Sequence, residues 1–186
     1  EAESSLPEEI SGNAFHATKD AARGLRARVY LYMGNYAEAL KAANEVIARH
    51  DTLLDLTRYE VLKPAGQIGR TNVPDADANP ESIFIKYAPY IFGLSSQVFP
   101  SDSLLNLYED ADMRKVLFMA ETFRGKTLPR PIWVPYVRAN TAISTPELFL
   151  IAAECEARVG YMPHALALVN KLRAHRIKGN GYVSLV

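Results

Sequence analysis

Residues 22–40 read ARGLRARVYLYMGNYAEAL and predict a helical hairpin. In the first half, apolar side chains recur at helical spacing and form one stripe, made up of Ala22, Leu25, Val29, Tyr32 and Met33. Gly34 then ends this helix, because glycine tolerates the left-handed conformation found at helix C-termini. A second helix is predicted from about Tyr36 to Arg49, with an inward face of Ala39, Leu40, Ala43, Val46 and Ile47. The two helices are expected to pack antiparallel.

Residues 148–172 repeat this pattern. In both copies a small residue, Ala27 or Ala153, precedes a glycine by seven positions, and an alanine, Ala39 or Ala165, follows that glycine by five. Small residues let two helices cross closely, and this layout is typical of tetratricopeptide repeats. Tandem repeats of this kind recur every ~34 residues, whereas the two glycines here lie 126 positions apart. The sequence therefore predicts two hairpins separated by a long insertion.

The insertion has a different composition. Between residues 51 and 79, proline, glycine and aspartate interrupt any helical spacing, which indicates loops. Residues 82–87 alternate and predict a short strand, and residues 117–122 predict a second one. Residues 128–136 carry three prolines, too many for a central strand, so we expect this segment to be extended or looped.

The second hairpin begins at a clear helix start. Ser144 and Glu147 have the spacing of a capping box, and Pro146 stands in the first turn, where its missing N–H costs nothing. Together the patterns predict a mainly α fold, built on tetratricopeptide-like helical hairpins with a long irregular insertion carrying short strands. Within a single domain portion over residues 1–186, we assign the first hairpin to 15–49, the insertion to 50–143 and the second hairpin to 144–177.

Composition excludes several classes of function. The chain has 21 basic residues (Lys and Arg) and 21 acidic residues (Asp and Glu), so its net charge is zero. It therefore has no overall positive charge that would attract nucleic acid or an anionic membrane. No apolar run approaches the ~20 residues needed to span a bilayer, and the first residues lack the pattern of a signal peptide. The single cysteine, Cys155, excludes an internal disulfide.

Four blocks of the sequence, in order, resemble the SusD/RagB family of outer-membrane nutrient-binding proteins. The matching positions are Ala21 to Ala39 for an Ala-rich helix, Asn79, Glu81, Ile83 and Phe84 for a strand, Asp112 and Arg114 for a D-x-R block, and Glu147, Glu154, Asn170, Arg173 and Arg176 for the last hairpin. Known members are longer, with a lipid-anchored N-terminal cysteine, earlier helical repeats and a further C-terminal region. The resemblance therefore implies that this chain is an internal or C-terminal portion.

The resemblance also implies a function. Such a protein would capture an oligosaccharide or another nutrient at the bacterial cell surface and deliver it to a SusC-like TonB-dependent transporter in the outer membrane. It would not be an enzyme, would need no cofactor and would meet the membrane only through a lipid anchor that is absent from this chain. The hairpins would act as the scaffold and contact the transporter, while the loops would hold the ligand.

The aromatic residues of the insertion are the candidate ligand-binding residues. A sugar ring stacks its C–H face on Trp or Tyr, and its hydroxyls need amide or carboxylate partners. Trp133, the only tryptophan, stands in the proline-rich segment with Tyr136 close by, and Tyr87 and Tyr90 follow the first predicted strand. Each of these residues could equally belong to a small core beneath a long loop.

No arrangement of residues predicts catalysis or a metal centre. The histidines have no ligand spacing, and Cys155 falls on the apolar face of its helix, as a packed core thiol would. Asp75, Asp77 and Asn79 resemble the start of a calcium loop, but Pro80 replaces the required glycine. A solvated turn is the favoured interpretation, with calcium as the alternative.

Two charge pairs have structural interpretations. We expect Glu147 to cap its own helix while Arg138 ties down the incoming loop, and Glu154 to pair with Arg173 across the second hairpin.

Two other functions remain open. The first is a tetratricopeptide-type adaptor that binds a partner peptide in a concave helical face. The second is a glycan-processing enzyme, which would need paired carboxylates across a cleft.

Overall fold

The structure is a computed structural model that describes residues 3–8, 14–65, 67, 70–87, 99–133 and 142–186. Its helices are α1 (Lys19–Tyr32), α2 (Tyr36–Ile47), α3 (Asp102–Leu105), α4 (Met113–Phe118), α5 (Thr145–Arg158) and α6 (Met162–Ala174). Its strands are β1 (Ser82–Phe84), β2 (Met119–Phe123), β3 (Lys126–Trp133) and β4 (Ile143–Ser144). The predicted fold class, mainly α with short strands in the insertion, is confirmed.

Local signals in the sequence set the ends of the hairpin helices. Thr18 caps α1, because its side-chain oxygen accepts a hydrogen bond from the Ala21 N–H at 3.2 Å. After α1 the chain turns at Gly34, whose φ is 73°, and after α5 it turns at Gly160, whose φ is 90°. Residues other than glycine rarely adopt positive φ values of this size. Both turns therefore require the glycine that the sequence pattern places there.

The two hairpins stack side by side although a long insertion separates them. The largest contacts between elements join α1 to α2, α5 to α6, and α2 to α5. Their shared core contains mostly small or branched side chains, namely Ala27, Ala39, Ala42, Ala43, Val46, Leu148, Ile151, Ala152 and Cys155. Because many of these side chains are small, the helix backbones can approach closely. The hairpins therefore pack as neighbouring repeats of one array.

The apolar stripe of α1 does not enter this core. Leu25, Val29, Tyr32 and Met33 have 51%, 46%, 85% and 70% of their surface exposed. The buried face of α1 consists instead of Asp20, Ala21, Gly24 and Ala27. Helical spacing reveals that a face is apolar, but the neighbouring elements decide which face is covered. Here α2 and β4 lie against the face with the smallest side chains.

Two short antiparallel ladders lie in or at the edge of the insertion. β1 pairs with β4 through Ser82 opposite Ser144, which brings the insertion to the start of α5. β2 pairs with β3, and the prediction of a strand over 117–122 was wrong in its start, since helix α4 continues to Phe118. The segment 128–136 was expected to be extended or looped, and its described part belongs to β3. Its prolines are tolerated because β3 pairs only with β2 among the described strands.

The expected helix cap by Glu147 and the expected pair of Glu154 with Arg173 were both wrong. Ser144 makes no capping hydrogen bond with its side chain. Glu147 instead binds Arg28 of α1, with Nε–Oε1 and Nη2–Oε2 distances of 2.5 and 2.7 Å. Arg28 also donates to the carbonyl of Ala142, so it ties α1 to the start of α5. Arg138 lies outside the described residues.

Glu154 and Arg173 likewise have other partners. Glu154 pairs with Arg158, one turn along the same exposed face of α5, at 2.7 Å. Arg173 pairs with Glu109 of the insertion. A partner on the same helix is always within reach of Glu154, whereas a pair across the hairpin depends on how the two helices are rotated.

Candidate functional site

Trp133 is the last residue of β3. Its Cα is paired with that of Met119 across the ladder, and its ring packs against Phe118 with a centroid distance of 5.5 Å and an interplanar angle of 33°. The side chain is half-buried, so part of the indole reaches the surface. The tryptophan is therefore held on a strand and not on a loop, with one aromatic neighbour fixing its orientation.

An open cavity of about 490 Å³ lies against the β2–β3 ladder that ends at this tryptophan, but Trp133 itself is not among the described residues that line it. Its apolar lining includes Val61, Ala65, Val116, Met119 and Pro131, and its charged lining consists of Lys63, Arg70, Asp110, Lys115 and Glu121. Met119 is the ladder partner of Trp133, and Pro131 lies two residues before it on the same side of β3. Two lining residues of the cavity are thus neighbours of the half-buried Trp133 in the ladder.

Arg70 organises the wall of the cavity. It is 6% exposed, and its guanidinium donates to the carbonyls of Val116, Leu117 and Met119 at 3.1, 2.6 and 3.0 Å. These carbonyls lie where α4 ends and β2 begins, and the last carbonyls of a helix need such partners. Arg70 therefore holds the junction that positions both Met119 and the lining residues of β2.

Charged side chains form the rim of the cavity. Lys115 lies 3.6 Å from Asp110, and both groups reach solvent, while Lys63 and Glu121 are exposed. An exposed ion pair contributes little to stability, about 1 kcal/mol or less. Such groups can turn toward a ligand at small cost. The rim can then hydrogen-bond hydroxyl groups, and the apolar wall can receive the C–H face of a ring.

The other predicted aromatic residues are not all described. Tyr87 packs edge-to-face on Phe15, with ring centroids 5.3 Å apart, near the point where the Ile85 N–H donates to the carbonyl of Ala14. It is not among the described residues that line the cavity. Tyr90 and Tyr136 lie outside the described residues, so all three stay predictions.

Other chemistries find no support in the part of the chain that the structure describes. Cys155 is fully buried, as predicted, and burial raises the pKa of its thiol, which keeps it protonated. The described residues contain no cluster of His, Cys, Asp or Glu that could hold a metal ion. In the segment from Asp75 to Asn79, which resembles the start of a calcium loop, the Asn79 side chain accepts a hydrogen bond from the Glu81 N–H at 2.9 Å. Within the described ranges, no helix is long and apolar enough to cross a bilayer.

Solved structures share this fold, although neither a protein-family model nor a curated protein sequence matches the chain. A SusD-like carbohydrate binding protein from Bacteroides vulgatus aligns over 99% of this chain with a TM-score of 0.66 and 18% identity. A SusD superfamily protein from Bacteroides thetaiotaomicron aligns over 95% with a TM-score of 0.69 and 22% identity. The chain has the SusD-like fold.

The SusD-like proteins compared are longer than this chain. The chain spans 42% and 45% of the lengths of those two proteins. It spans 51% of a SusD-like protein from Bacteroides fragilis, which aligns over all of this chain with a TM-score of 0.57 and 17% identity. The expected resemblance to SusD is thus confirmed at the level of the fold.

In this SusD-like fold the motif residues hold the insertion against the hairpins. Glu81 and Arg176 form a buried ion pair. Asp112 caps α4, binds Arg114 of its own motif at 2.6 Å, and bridges to Ile177 after α6. The blocks that carried the resemblance therefore act mainly in packing.

The cavity itself was not predicted from the sequence. Val61, Lys63, Arg70 and Lys115 come together from segments far apart in the chain, and none of them has a local pattern that marks a site. The one usable signal was the position of Lys115 directly after the D-x-R block.

Proposed function

We propose that this chain binds carbohydrate without catalysing a reaction, and that Trp133 and the adjacent cavity form the binding site. The observation that carries the proposal is the half-buried tryptophan, whose ladder partner Met119 lines an open cavity of about 490 Å³. The fold supports it, because one protein with this fold is a SusD-like carbohydrate binding protein.

The two parts of the site would make complementary contacts. The exposed part of the indole would stack on the C–H face of a sugar ring. Lys115, Asp110 and Glu121 would hydrogen-bond the hydroxyls of the same or the next sugar unit. Val116 and Met119 of the lining would exclude water. Neither contact requires a cofactor. Tyr87, Tyr90 and Tyr136 are retained as candidates for further stacking contacts.

We extend the proposal to the longer protein of which such a chain would form part. It would be a lipoprotein on the outer face of the outer membrane that delivers an oligosaccharide, or another nutrient, to a SusC-like TonB-dependent transporter. Residues 1–186 would form a single domain portion, in which the two hairpins are the scaffold. The stacking of α2 on α5 supports that role, because it builds a rigid base for the insertion.

The alternative of a peptide-binding adaptor has less support. A concave binding face needs exposed polar residues along its inner helices. In α5, most of one face is buried, with Leu148, Ile151 and Cys155 at 4% exposure or less. This burial favours a scaffold over an open groove.

A glycan array tests the proposal. The unmodified chain, Trp133→Ala and Lys115→Met are screened together, and hits are titrated by calorimetry. We expect Trp133→Ala to lower affinity at least about tenfold, because the stacking contact is lost. Lys115→Met keeps the apolar stem and should weaken binding by about three- to tenfold through one lost hydrogen bond.

Two controls separate binding from packing. Phe118→Leu removes the aromatic neighbour of Trp133 but keeps the indole itself. This variant should therefore retain most of the affinity for the glycan. Tyr32→Ala removes an aromatic side chain that is 85% exposed on α1, and it should bind like the unmodified chain. Binding that survives Trp133→Ala would remove the proposed site and keep the function. Absence of any glycan hit would contradict the function for this chain.

A further inference from the structure

The segment 182–185 lies along α6 and is held by one side-chain amide. Asn170 Oδ1 accepts a hydrogen bond from the Leu185 N–H at 2.8 Å, and Asn170 Nδ2 donates to the Leu185 carbonyl at 3.0 Å. A single amide group thus pairs with both main-chain groups of one residue. This double hydrogen bond is the pairing that a neighbouring β-strand would make.

A second helix residue continues the same contact. Arg173 lies three positions after Asn170, on the same face of α6, and its Nη1 donates to the Val183 carbonyl at 2.7 Å. Glu109 binds the other terminal nitrogen, Nη2, and so orients the guanidinium. The two helix residues therefore contact alternate residues of the segment, which is the two-residue period of an extended chain.

These hydrogen bonds involve the main chain of the segment and leave its apolar side chains largely outside. Val183 is 69% exposed and Leu185 is 43% exposed. The exception is Tyr182, whose hydroxyl donates to the Asn170 carbonyl at 3.2 Å and whose ring lies under the Arg173 guanidinium, 5.7 Å from the ring centroid. Apart from this tyrosine the contacts are to peptide groups, so little in the site selects the sequence of residues 183–185.

None of the residues of segment 182–185 is buried, so the segment can detach from α6 without exposing the core. The chain before it is anchored, because Ile177 is buried and bridges to Asp112. Between anchor and segment lies a short turn at Gly179–Gly181, where Gly179 has a φ of 59°. A segment without buried apolar anchors opens at low cost while the core stays intact.

We propose that Asn170 and Arg173 form a binding site for an extended peptide, recognised through its main chain, and that residues 182–185 occupy this site in cis. A partner peptide would replace them by offering one free N–H and C=O pair and a second C=O two residues earlier. No residue of the cavity beside Trp133 takes part, so this inference does not depend on carbohydrate binding.

The test uses the full chain, labelled with ¹⁵N, and a synthetic peptide with the sequence of residues 182–186. The tethered segment competes at an effective concentration in the millimolar range, so the peptide is added to millimolar concentration. We expect saturable shifts of the amide signals of Arg173 and of Leu185 in the protein, as its own segment is displaced. A scrambled peptide that keeps the tyrosine first should act within about threefold of the original, because the contacts are mostly to the main chain.

Three comparisons make the result decisive. A peptide N-methylated at the nitrogen equivalent to that of Leu185 should be inactive. Asn170→Ala should free the tethered segment and abolish the response to peptide, while Lys171→Ala, an exposed neighbour on the same helix, should respond normally. Absence of shifts at millimolar peptide, equal activity of the N-methylated peptide, or an unchanged response in Asn170→Ala would each overturn the proposal.

Discussion

Glu81 and Arg176 are 95 positions apart in the sequence and form an ion pair in which both side chains are at most 10% exposed. The Nη2–Oε1 distance is 2.5 Å. The pair also holds the main chain of Leu54, whose N–H donates to Glu81 Oε1 at 2.7 Å and whose carbonyl accepts from Arg176. Three segments, from the start and the middle of the insertion and from the residues just after α6, therefore meet at one buried contact.

Removal of one partner of this pair should be costly. In Glu81→Gln the guanidinium of Arg176 stays buried without a counter-charge, and we expect the free energy of unfolding to fall by about 3–5 kcal/mol. Arg176→Met should cost a similar amount. The double variant should cost much less than the sum, because no isolated charge remains. Urea denaturation of the four proteins measures this coupling.

An exposed ion pair provides the control. Glu154→Gln breaks the pair with Arg158, in which both side chains are about half exposed, and should cost no more than about 0.5 kcal/mol. Additive losses in the Glu81 and Arg176 cycle would show that the two charges do not depend on each other.

Gly24 allows close contact between α1 and β4. A Cβ at this position would lie 2.6 Å from Ile143 Cγ2, closer than two carbon atoms can pack. Because this methyl group is attached to the Cβ of Ile143, it cannot move away without a shift of the side chain. We expect Gly24→Ala to destabilise the protein by about 1–3 kcal/mol, measured as a lower urea midpoint, despite the better helix propensity of alanine.

The sign of this effect should reverse when the clash is removed. In an Ile143→Ala background, which lacks that methyl group, Gly24→Ala should be neutral or stabilise by up to about 1 kcal/mol. A similar loss of stability in both backgrounds would mean that the contact with Ile143 is not its cause.

Asp20 joins the start of α1 to the end of α2. It is 3% exposed, with Arg23 at 3.0 Å, Arg49 at 2.9 Å and His50 at 2.9 Å. Burial alone would raise the pKa of Asp20, but the hydrogen bonds from Arg49, Arg23 and His50 outweigh it and hold the pKa below its ordinary value of 3.8. Its stabilising effect is therefore complete above that value and disappears as the pH falls through the lower, folded pKa.

Asp20→Asn should reveal this pH dependence. At neutral pH we expect a loss of about 1–3 kcal/mol in unfolding free energy. The difference from the unmodified protein should shrink as the pH falls below about 4, because the unmodified carboxylate then becomes protonated as well. Urea midpoints measured across this range test the prediction, with Asp51→Asn, in an exposed pair with Lys171, as the control. A difference that stays constant into acid would contradict it.

The parts of the fold that were predicted correctly depend on neighbours in the sequence. The turns at Gly34 and Gly160 and the close helix crossing at Ala27 follow from residues within one or two helical turns. The face of α1 that is buried was not predictable in this way. It is chosen by Ile143, more than a hundred positions away, and by the close approach that Gly24 permits.

The candidate site likewise has one part that was predicted from the sequence and one part that was not. Trp133 could be selected from the sequence as the only tryptophan of the chain, although its place on a strand could not. The cavity beside it was missed because its wall depends on Arg70, which binds carbonyls 46 to 49 positions further along the chain. A guanidinium bound to main-chain carbonyls requires no particular side chain there, so no motif records the contact.

Local patterns in the sequence are enough to predict that this chain contains two helical hairpins with a long insertion between them. Helical spacing, capping and turn glycines act over a few residues and can be read one segment at a time. The stacking of the hairpins follows only from the three-dimensional arrangement, and so do the pairs of Glu81 with Arg176 and of Glu147 with Arg28. These pairings depend on the distance and relative rotation of elements far apart in the chain. A charged side chain carries no local information about which distant partner it will meet.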